Sequence, residues 1–293
     1  MTSFILVTGA SSGIGRDAAL ALARIGHHVI ATGRRVAAVE ALCAQAAPGR
    51  ITPLHLDLDD PASIAAAAIE VERITDGYGL DALVNNAGFA TAGALAELSD
   101  ADLRKQFETN VFGLMAITRA MLPAMIARGR GRVINVSSVS GLIPAPVLGA
   151  YHASKYALEA LSDALRMELH PFGVQVAIVE PGTIRTEFAS RTLGEATRSR
   201  AAGSRYAAVY ARASSIEAKF DRMASTTAPV VRAIVHAVTA RRARSRYIAP
   251  RRFALGVALV RILPMCWFDA AMRRIFGLTR AALLPPPVPR QLT

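Results

Sequence analysis

Cysteine is scarce: the chain holds two, Cys43 and Cys266, far apart in sequence. That excludes a disulfide-rich secreted scaffold and a cysteine-rich zinc module, and it fits a reducing cytoplasm. Charge is scarce too. Asp, Glu, Lys and Arg make up 19% of the residues, against 52% hydrophobic, the reverse of a disordered composition. No uncharged apolar run reaches about 18 residues, so no strong transmembrane helix is expected. The start, MTSFILVTGA, lacks the basic opening and small-residue cleavage site of a signal peptide, and the expected location is the cytoplasm. The histidines show no metal-ligand spacing, and no metal is expected. Only three of the 34 basic residues are lysines: Lys105, Lys155 and Lys219. Genome composition can produce such a bias, so arginine runs carry reduced functional weight.

The length, 293 residues, suits about two domains or one large α/β domain. The net charge of +12 is unevenly placed: residues 1–184 sum to −3 and residues 185–293 to +15. A uniformly basic nucleic-acid binder would not divide in this way. No helix-turn-helix, zinc or aromatic-basic signature is present, and nucleic acid is not an expected partner.

Hydrophobic runs alternate with helical periodicity from the start. Phe4–Val7 (FILV) reads as a strand buried on both faces. A helix is expected over 17–25, then strands and helices in turn: strand 28–32, helix 36–46 stopped by Pro48-Gly49, strand 51–56, helix 61–74, strand 82–84, helical region 100–127 interrupted near Pro123, strand 132–136, helix 151–169 and strand 174–179. Residues 183–224 are polar, arginine-rich and without a strand candidate. A helix over 230–240, a last strand over 247–249 and apolar-basic helical stretches over 253–263 and 268–278 follow. Strand–helix repetition implies parallel strands joined by right-handed helical crossovers. The predicted fold is α/β, one doubly wound parallel sheet of about seven strands with helices on both faces, plus a C-terminal helical extension. Residues 1–250 would form a catalytic domain with a mobile lid over 183–226, residues 251–284 the extension, and residues 285–293 a proline-rich tail, extended or disordered.

Gly9, Gly13 and Gly15 lie between the first strand and the first helix, where glycine allows a tight turn and close approach of a pyrophosphate. The helix N-terminus would present N–H groups to the phosphates. The spacing, G-x-x-x-G-x-G, serves a plain turn equally well, but its position favours a nucleotide. Gly33-Arg34-Arg35 stands at the end of the second strand, with Arg34 19 residues after Gly15, close to the roughly 20 expected for the ribose-reading residue. Two guanidinium groups and no carboxylate suit a 2′-phosphate, with Arg34 as the main ligand, unless both are solvated surface charges.

TGASSGIG at residues 8–15, NNAG at 85–88, the YHASK stretch at 151–155 and PG at 181–182 resemble the short-chain dehydrogenase/reductase family, in order and in spacing, over about residues 3–187. The resemblance implies hydride transfer between a nicotinamide and a carbonyl or alcohol carbon. It makes Tyr151 the general acid/base, with Lys155 on the same helix face lowering its pKa and holding the nicotinamide ribose. Ser138, 13 residues before Tyr151, would bind the substrate oxygen, ahead of its neighbours Ser137 and Ser140. Asn110 would hold a water in the proton relay, although a mid-helix asparagine is commonly a surface residue. The glycine-motif residues Gly9, Ser11, Ser12, Gly13, Ile14 and Gly15 would meet the cofactor. So would Asp57 at the adenine, Asn86, Ala87 and Gly88 near the ribose, and Pro181, Gly182, Ile184 and Thr186 at the carboxamide and phosphate. Asp57 can equally cap the next helix. His152 points about 100° from Tyr151 on a helix and is not expected to be catalytic.

The uncharged loop VSGLIPAPVLGA at residues 139–150 argues for a lipophilic alcohol or carbonyl substrate. With the arginine pair, NADP(H) is the expected cofactor. Alternatives are a 3-oxoacyl thioester reductase and a non-catalytic NADPH-binding regulator. A homo-oligomer is expected, as in many relatives. The extension, apolar and edged by arginines, can lie on an anionic membrane surface, cover the substrate cleft or form a subunit interface.

Overall fold

The computed structural model describes residues 2–47, 50–186 and 203–283. Seven strands form one sheet: β1 (Phe4–Val7), β2 (His28–Gly33), β3 (Ile51–His55), β4 (Ala82–Asn85), β5 (Gly131–Val136), β6 (Val174–Pro181) and β7 (Arg246–Ala249). Their order is β3-β2-β1-β4-β5-β6-β7 and every pairing is parallel. The order in which successive strands are added reverses between β1 and β4, the switch point at which open α/β sheets bind ligands.

The two-residue period of each strand sorts its apolar side chains between two cores. Ile5, Val7, Val29, Ala31, Val84 and Ile134 face one layer, built by α1 (Gly13–Arg24), α2 (Val36–Glu40) and α8 (Ala228–Thr239). Leu6, Ile30, Leu83 and Val133 face the other, built by α3 (Pro61–Ile74), α5 (Leu114–Ala127) and α6 (Gly149–Leu169). Continuous apolar strands are the consequence of covering both faces.

Two expected helices are divided. The helix over 36–46 ends at Glu40, and Cys43–Gln45 forms a separate 3-10 turn; Pro48-Gly49 lies outside the described residues. The region 100–127 is interrupted before Pro123. α4 (Asp100–Phe107) passes into a π-helical turn, Glu108–Gly113, and α5 then runs through Pro123 without a break. Pro123 is exposed while Met121, Leu122 and Met125 are buried, so packing on both sides of it carries the helix through the lost hydrogen bond.

Beyond β6, Ile184 pairs with Ser225 in a single parallel bridge, and α7 spans Ala207–Met223. Much of the expected lid and the tail over 285–293 lie outside the described residues. The extension consists of α9 (Arg252–Ile262), α10 (Met265–Phe276) and the short α11 (Arg280–Leu283). Phe276, Leu278 and Leu283 pack against Val209 and Tyr210 of α7, together with Ala92, Ala94 and Val147 from the loops after β4 and before α6.

Candidate active site

The glycine turn after β1 interlocks with the loop after β4. Gly9 and Gly13 take left-handed conformations, φ +65° and +56°. A Cβ on Gly9 would lie 2.8 Å from the Ala87 Cα, and one on Gly15 would lie 2.4 Å from both Asn86 Nδ2 and the Gly9 carbonyl oxygen. The first turn of α1 carries no acidic side chain, and its N-cap, Ser12, makes no side-chain capping bond. The turn can therefore accept an anion. Thr186 lies over it, its Cγ2 at 3.4 Å from a Cβ built on Gly13, so the chain after β6 meets the chain after β1. Ile184 beside it is buried.

Thr8, to which no role was assigned from the sequence, organises the interlock. Its Oγ1 accepts from the backbone N–H groups of Asn86 and Ala87, each at 2.9 Å. Asn86 Nδ2 donates to the carbonyls of Thr8, at 3.0 Å, and Gly9, at 3.2 Å. The amide of Asn86 thus braces the glycine turn. These bonds join residues 78 and 79 positions apart, so the TGASSGIG motif that contains Thr8 does not by itself show this role.

At the end of β2, Ser11 lies 3.5 Å from a Cβ built on Gly33, placing the glycine turn beside the arginine pair. Arg34 and Arg35 are exposed, and neither side chain is in a hydrogen bond or ion pair among the described residues. Asp57 lies past the end of β3. Its carboxylate accepts from Asp59 N at 3.1 Å, while Asp60 supplies the N-cap of α3 through Ala62 N. The capping role considered for Asp57 therefore belongs to Asp60.

Ser138 follows β5, caps the turn Val139–Gly141 through Ser140 N at 3.1 Å and donates to the Pro181 carbonyl at 3.4 Å. Tyr151 stands in the first turn of α6, 8% exposed, and hydrogen-bonds Ser138. Burial pushes its phenol up to about 12, with the Ser138 bond acting the other way. Lys155, one turn on, is buried; its Nζ lies 5.9 Å from the Tyr151 ring centre and donates to the Val136 carbonyl at 2.9 Å. Burial lowers its pKa to about 8, opposed by the charge of Glu159. The phenol's shift is thus set by burial and Ser138, whereas the sequence led to the expectation that Lys155 would lower it.

Gly88 joins this cluster to Asn110. A Cβ there would lie 3.1 Å from Asn110 Oδ1 and 3.9 Å from Lys155 Nζ. Asn110 is fully buried in the π-helical turn. Its Oδ1 accepts from Phe89 N at 3.1 Å, and its Nδ2 donates to the Phe89 carbonyl at 2.9 Å and to Ser154 Oγ at 3.1 Å. It is an interior brace, with a second lone pair on Oδ1 left for a water. His152 is also structural: its Nδ1 bonds the Ser140 carbonyl at 2.9 Å and burial lowers its pKa, so a neutral imidazole ties the Ser138 turn to α6.

Gly182 lies under α9, a Cβ on it falling 2.3 Å from Phe253 Cδ2. On α7, Tyr210 accepts from Ala94 N at 3.0 Å and donates to Glu97 at 3.1 Å, tying α7 to the loop after β4. A second anchor runs from Arg212 Nε to the Ile275 carbonyl at 2.8 Å.

A doubly wound sheet with a glycine turn at its switch point, and a hydrogen-bonded serine and tyrosine beside a buried lysine, defines an oxidoreductase of the dinucleotide-fold class. The short chain dehydrogenase family model matches residues 3–196, and the chain belongs to that family. It is 48% identical over 188 residues, 64% of this chain and 68% of the relative, to the uncharacterized oxidoreductase YbbO of Escherichia coli strain K12. It is 38% identical over 195 residues, 66% and 68% of the two chains, to a 3-ketodihydrosphingosine reductase of Bacteroides thetaiotaomicron. A short-chain dehydrogenase structure from Streptomyces avermitilis superposes with a TM-score of 0.73 at 32% identity, covering 95% of this chain and 97% of the other. Two more solved members, each 25% identical, hold different cofactors: NAD in the one from Burkholderia phymatum (TM-score 0.74, 88% and 92% covered) and NADPH in the one from Sphingobium yanoikuyae (TM-score 0.69, 98% and 100% covered).

Proposed function

We propose that this protein interconverts a lipophilic alcohol and its ketone or aldehyde, with NADP(H) as cofactor and Tyr151 as general acid/base. The observation that carries the reading is the hydrogen bond between Ser138 and buried Tyr151 with the Lys155 ammonium behind them. The glycine turn, residues 9–15, would cradle the pyrophosphate, since it leaves no space for a Cβ at Gly9 or Gly15. Arg34 and Arg35, exposed and with no side-chain partners among the described residues, would pair with a 2′-phosphate. Asp57 would border the adenine, and Asn86, Ala87 and Gly88 the ribose. Pro181, Gly182, Ile184 and Thr186 would border the nicotinamide side. The cofactor, when bound, supplies or accepts a hydride.

In the reductive direction Ser138 holds the carbonyl oxygen and Tyr151 donates its proton to it; in oxidation Tyr151 takes the proton back. Lys155 opposes the negative charge left on the phenol. Asn110 fixes the floor beneath Lys155 and offers one acceptor to a relay water. The apolar residues Ala92, Ala94, Val147, Leu148 and Tyr206 support a lipophilic substrate, as does the likeness to the reductase of a sphingoid ketone. We place the enzyme in the cytoplasm as a homo-oligomer.

The test is turnover with NADPH and with NADH across a panel of long-chain and compact ketones, for the wild type and Tyr151→Phe. The variant is expected to keep NADPH binding and lose about 10²–10⁴-fold in turnover, the usual contribution of a positioned acid/base. Undiminished turnover would remove Tyr151 from the role, and equal efficiency with NADH would remove the arginine pair.

A further inference from the structure

The outer face of the C-terminal extension is apolar and uncovered. On α9, Leu255 is 79% exposed, Leu259 53% and Ile262 78%. They stand at i, i+4 and i+7, one face of the helix, while Val257 on the opposite side is buried. After the Leu263-Pro264 link, Met265 is 68% and Trp267 67% exposed. On α10 the inward Phe268 is buried and Arg274 shares the outward face of Trp267, seven residues on. Five large apolar side chains this exposed within thirteen consecutive residues are more than the scattered surface hydrophobics of an ordinary fold.

Positive charge flanks this apolar face. Residues 251–283 contain six arginines and a single acid, Asp269. Arg251, Arg261, Arg273 and Arg274 are exposed and none appears in an ion pair among the described residues. On the Val257 side of α9 lies a cavity of about 800 Å³ whose walls include Arg232, Arg244, Arg251 and Arg261 together with Glu180. An 11-residue helix rises about 17 Å, well short of the roughly 30 Å hydrocarbon core, so α9 has the length to lie along a bilayer and not to cross it.

We propose that α9 and α10 form a docking surface for a bilayer containing anionic phospholipids. Leu255, Leu259, Ile262, Met265 and Trp267 enter the headgroup–acyl boundary, and the flanking arginines meet lipid phosphates. The charge complementarity singles out an anionic bilayer over a second copy of this chain, whose identical arginines would face these. α10 rests on α7, and α7 closes on the apolar loops, so the surface continues into the wall of the proposed substrate site. Delivery of substrate from the membrane rests on the lipophilic-substrate reading; the docking does not.

The experiment is flotation of the full-length protein with vesicles of phosphatidylcholine alone and of phosphatidylcholine mixed with phosphatidylglycerol, at low and high salt. The protein is expected to float with the anionic vesicles at low salt and to lose that binding as salt screens the arginines. The double variant Ile262→Ser/Trp267→Ser is expected to partition more than about tenfold less well, with an unchanged circular dichroism spectrum and melting temperature. Recovery of the wild type in the soluble fraction with both vesicles overturns the proposal. So does a lipid-free dimer, seen by light scattering, that the double variant converts to a monomer. Neither result depends on turnover, so a failed assay of the enzyme reading and a failed flotation are distinguishable.

Discussion

One cause drives Tyr151 and Lys155 apart. Burial raises the phenol to about 12 and lowers the ammonium to about 8, because a low-dielectric interior disfavours the charged form of each. For Lys155 the folded value lies below the ordinary 10.5, so stability is reduced wherever the ammonium is kept, and it is recovered as pH rises from about 8 to about 10.5. The cost near neutral pH is on the order of 3 kcal/mol, offset in part by the bond to the Val136 carbonyl, whose loss costs about 1–3 kcal/mol. Lys155→Met is therefore expected to melt at or above the wild-type temperature at pH about 7 while losing at least about a hundredfold in turnover. A melting temperature several degrees lower would mean that the lysine is a structural residue. Tyr151 and Lys155 came from the family resemblance, and their four-residue spacing put them on one helix face. The direction of the phenol's shift was not legible in the sequence, since burial is a property of the assembled loops.

The π-helical turn between α4 and α5 shows what element-level reading omits. Apolar periodicity over 100–127 suggested one helical region, and Pro123 offered the obvious break. The deformation lies instead at Glu108–Gly113, where Gly113 presses against the loop after β3. A Cβ on Gly113 would sit 2.0 Å from the Leu58 carbonyl oxygen and 2.8 Å from its carbon, and Thr109 donates to Asp59 at 2.5 Å on the same side. Helix propensity favours alanine over glycine by about 1 kcal/mol, yet here the added methyl meets backbone that must move. Gly113→Ala is expected to destabilise by about 1–3 kcal/mol, the cost of overpacking, and to reduce turnover by displacing Asn110 three residues earlier. Thermal melting and turnover measured together check this; a variant more stable than the wild type would show that the turn can relax without cost. His152 and Thr8 belong to the same class of omission. Each works through a bond to another loop, whereas the glycine and YHASK motifs are contiguous stretches that carry the family resemblance.

At the scale of the whole molecule, the order of elements and the two-faced sheet were readable because covering both faces forces continuous apolar strands. The fastening of the sheet's last edge was not. Arg246 lies in a stretch that reads as a basic surface, but it turns inward at the start of β7. It donates to Glu180 of β6 at 2.6 Å, to Asp163 of α6 at 2.5 Å, and to Glu159 of α6. One guanidinium thus serves three carboxylates, and Glu180 Oε2 and Glu159 Oε1 are buried without a hydrogen-bond partner among the described residues. Burial, reinforced by the charge of Glu159, raises the Glu180 carboxyl from 4.5 to about 7 against the pull of Arg246. A folded value above the unfolded one means that the stabilisation is fully present below about 4.5 and lost as pH rises through about 7. Glu180→Gln keeps an acceptor for Arg246 and removes the titration. Its melting temperature is expected to match the wild type's near pH 5 and to exceed it by a few degrees near pH 8. A gap between the two proteins that stays the same across that range would place the proton elsewhere in the cluster.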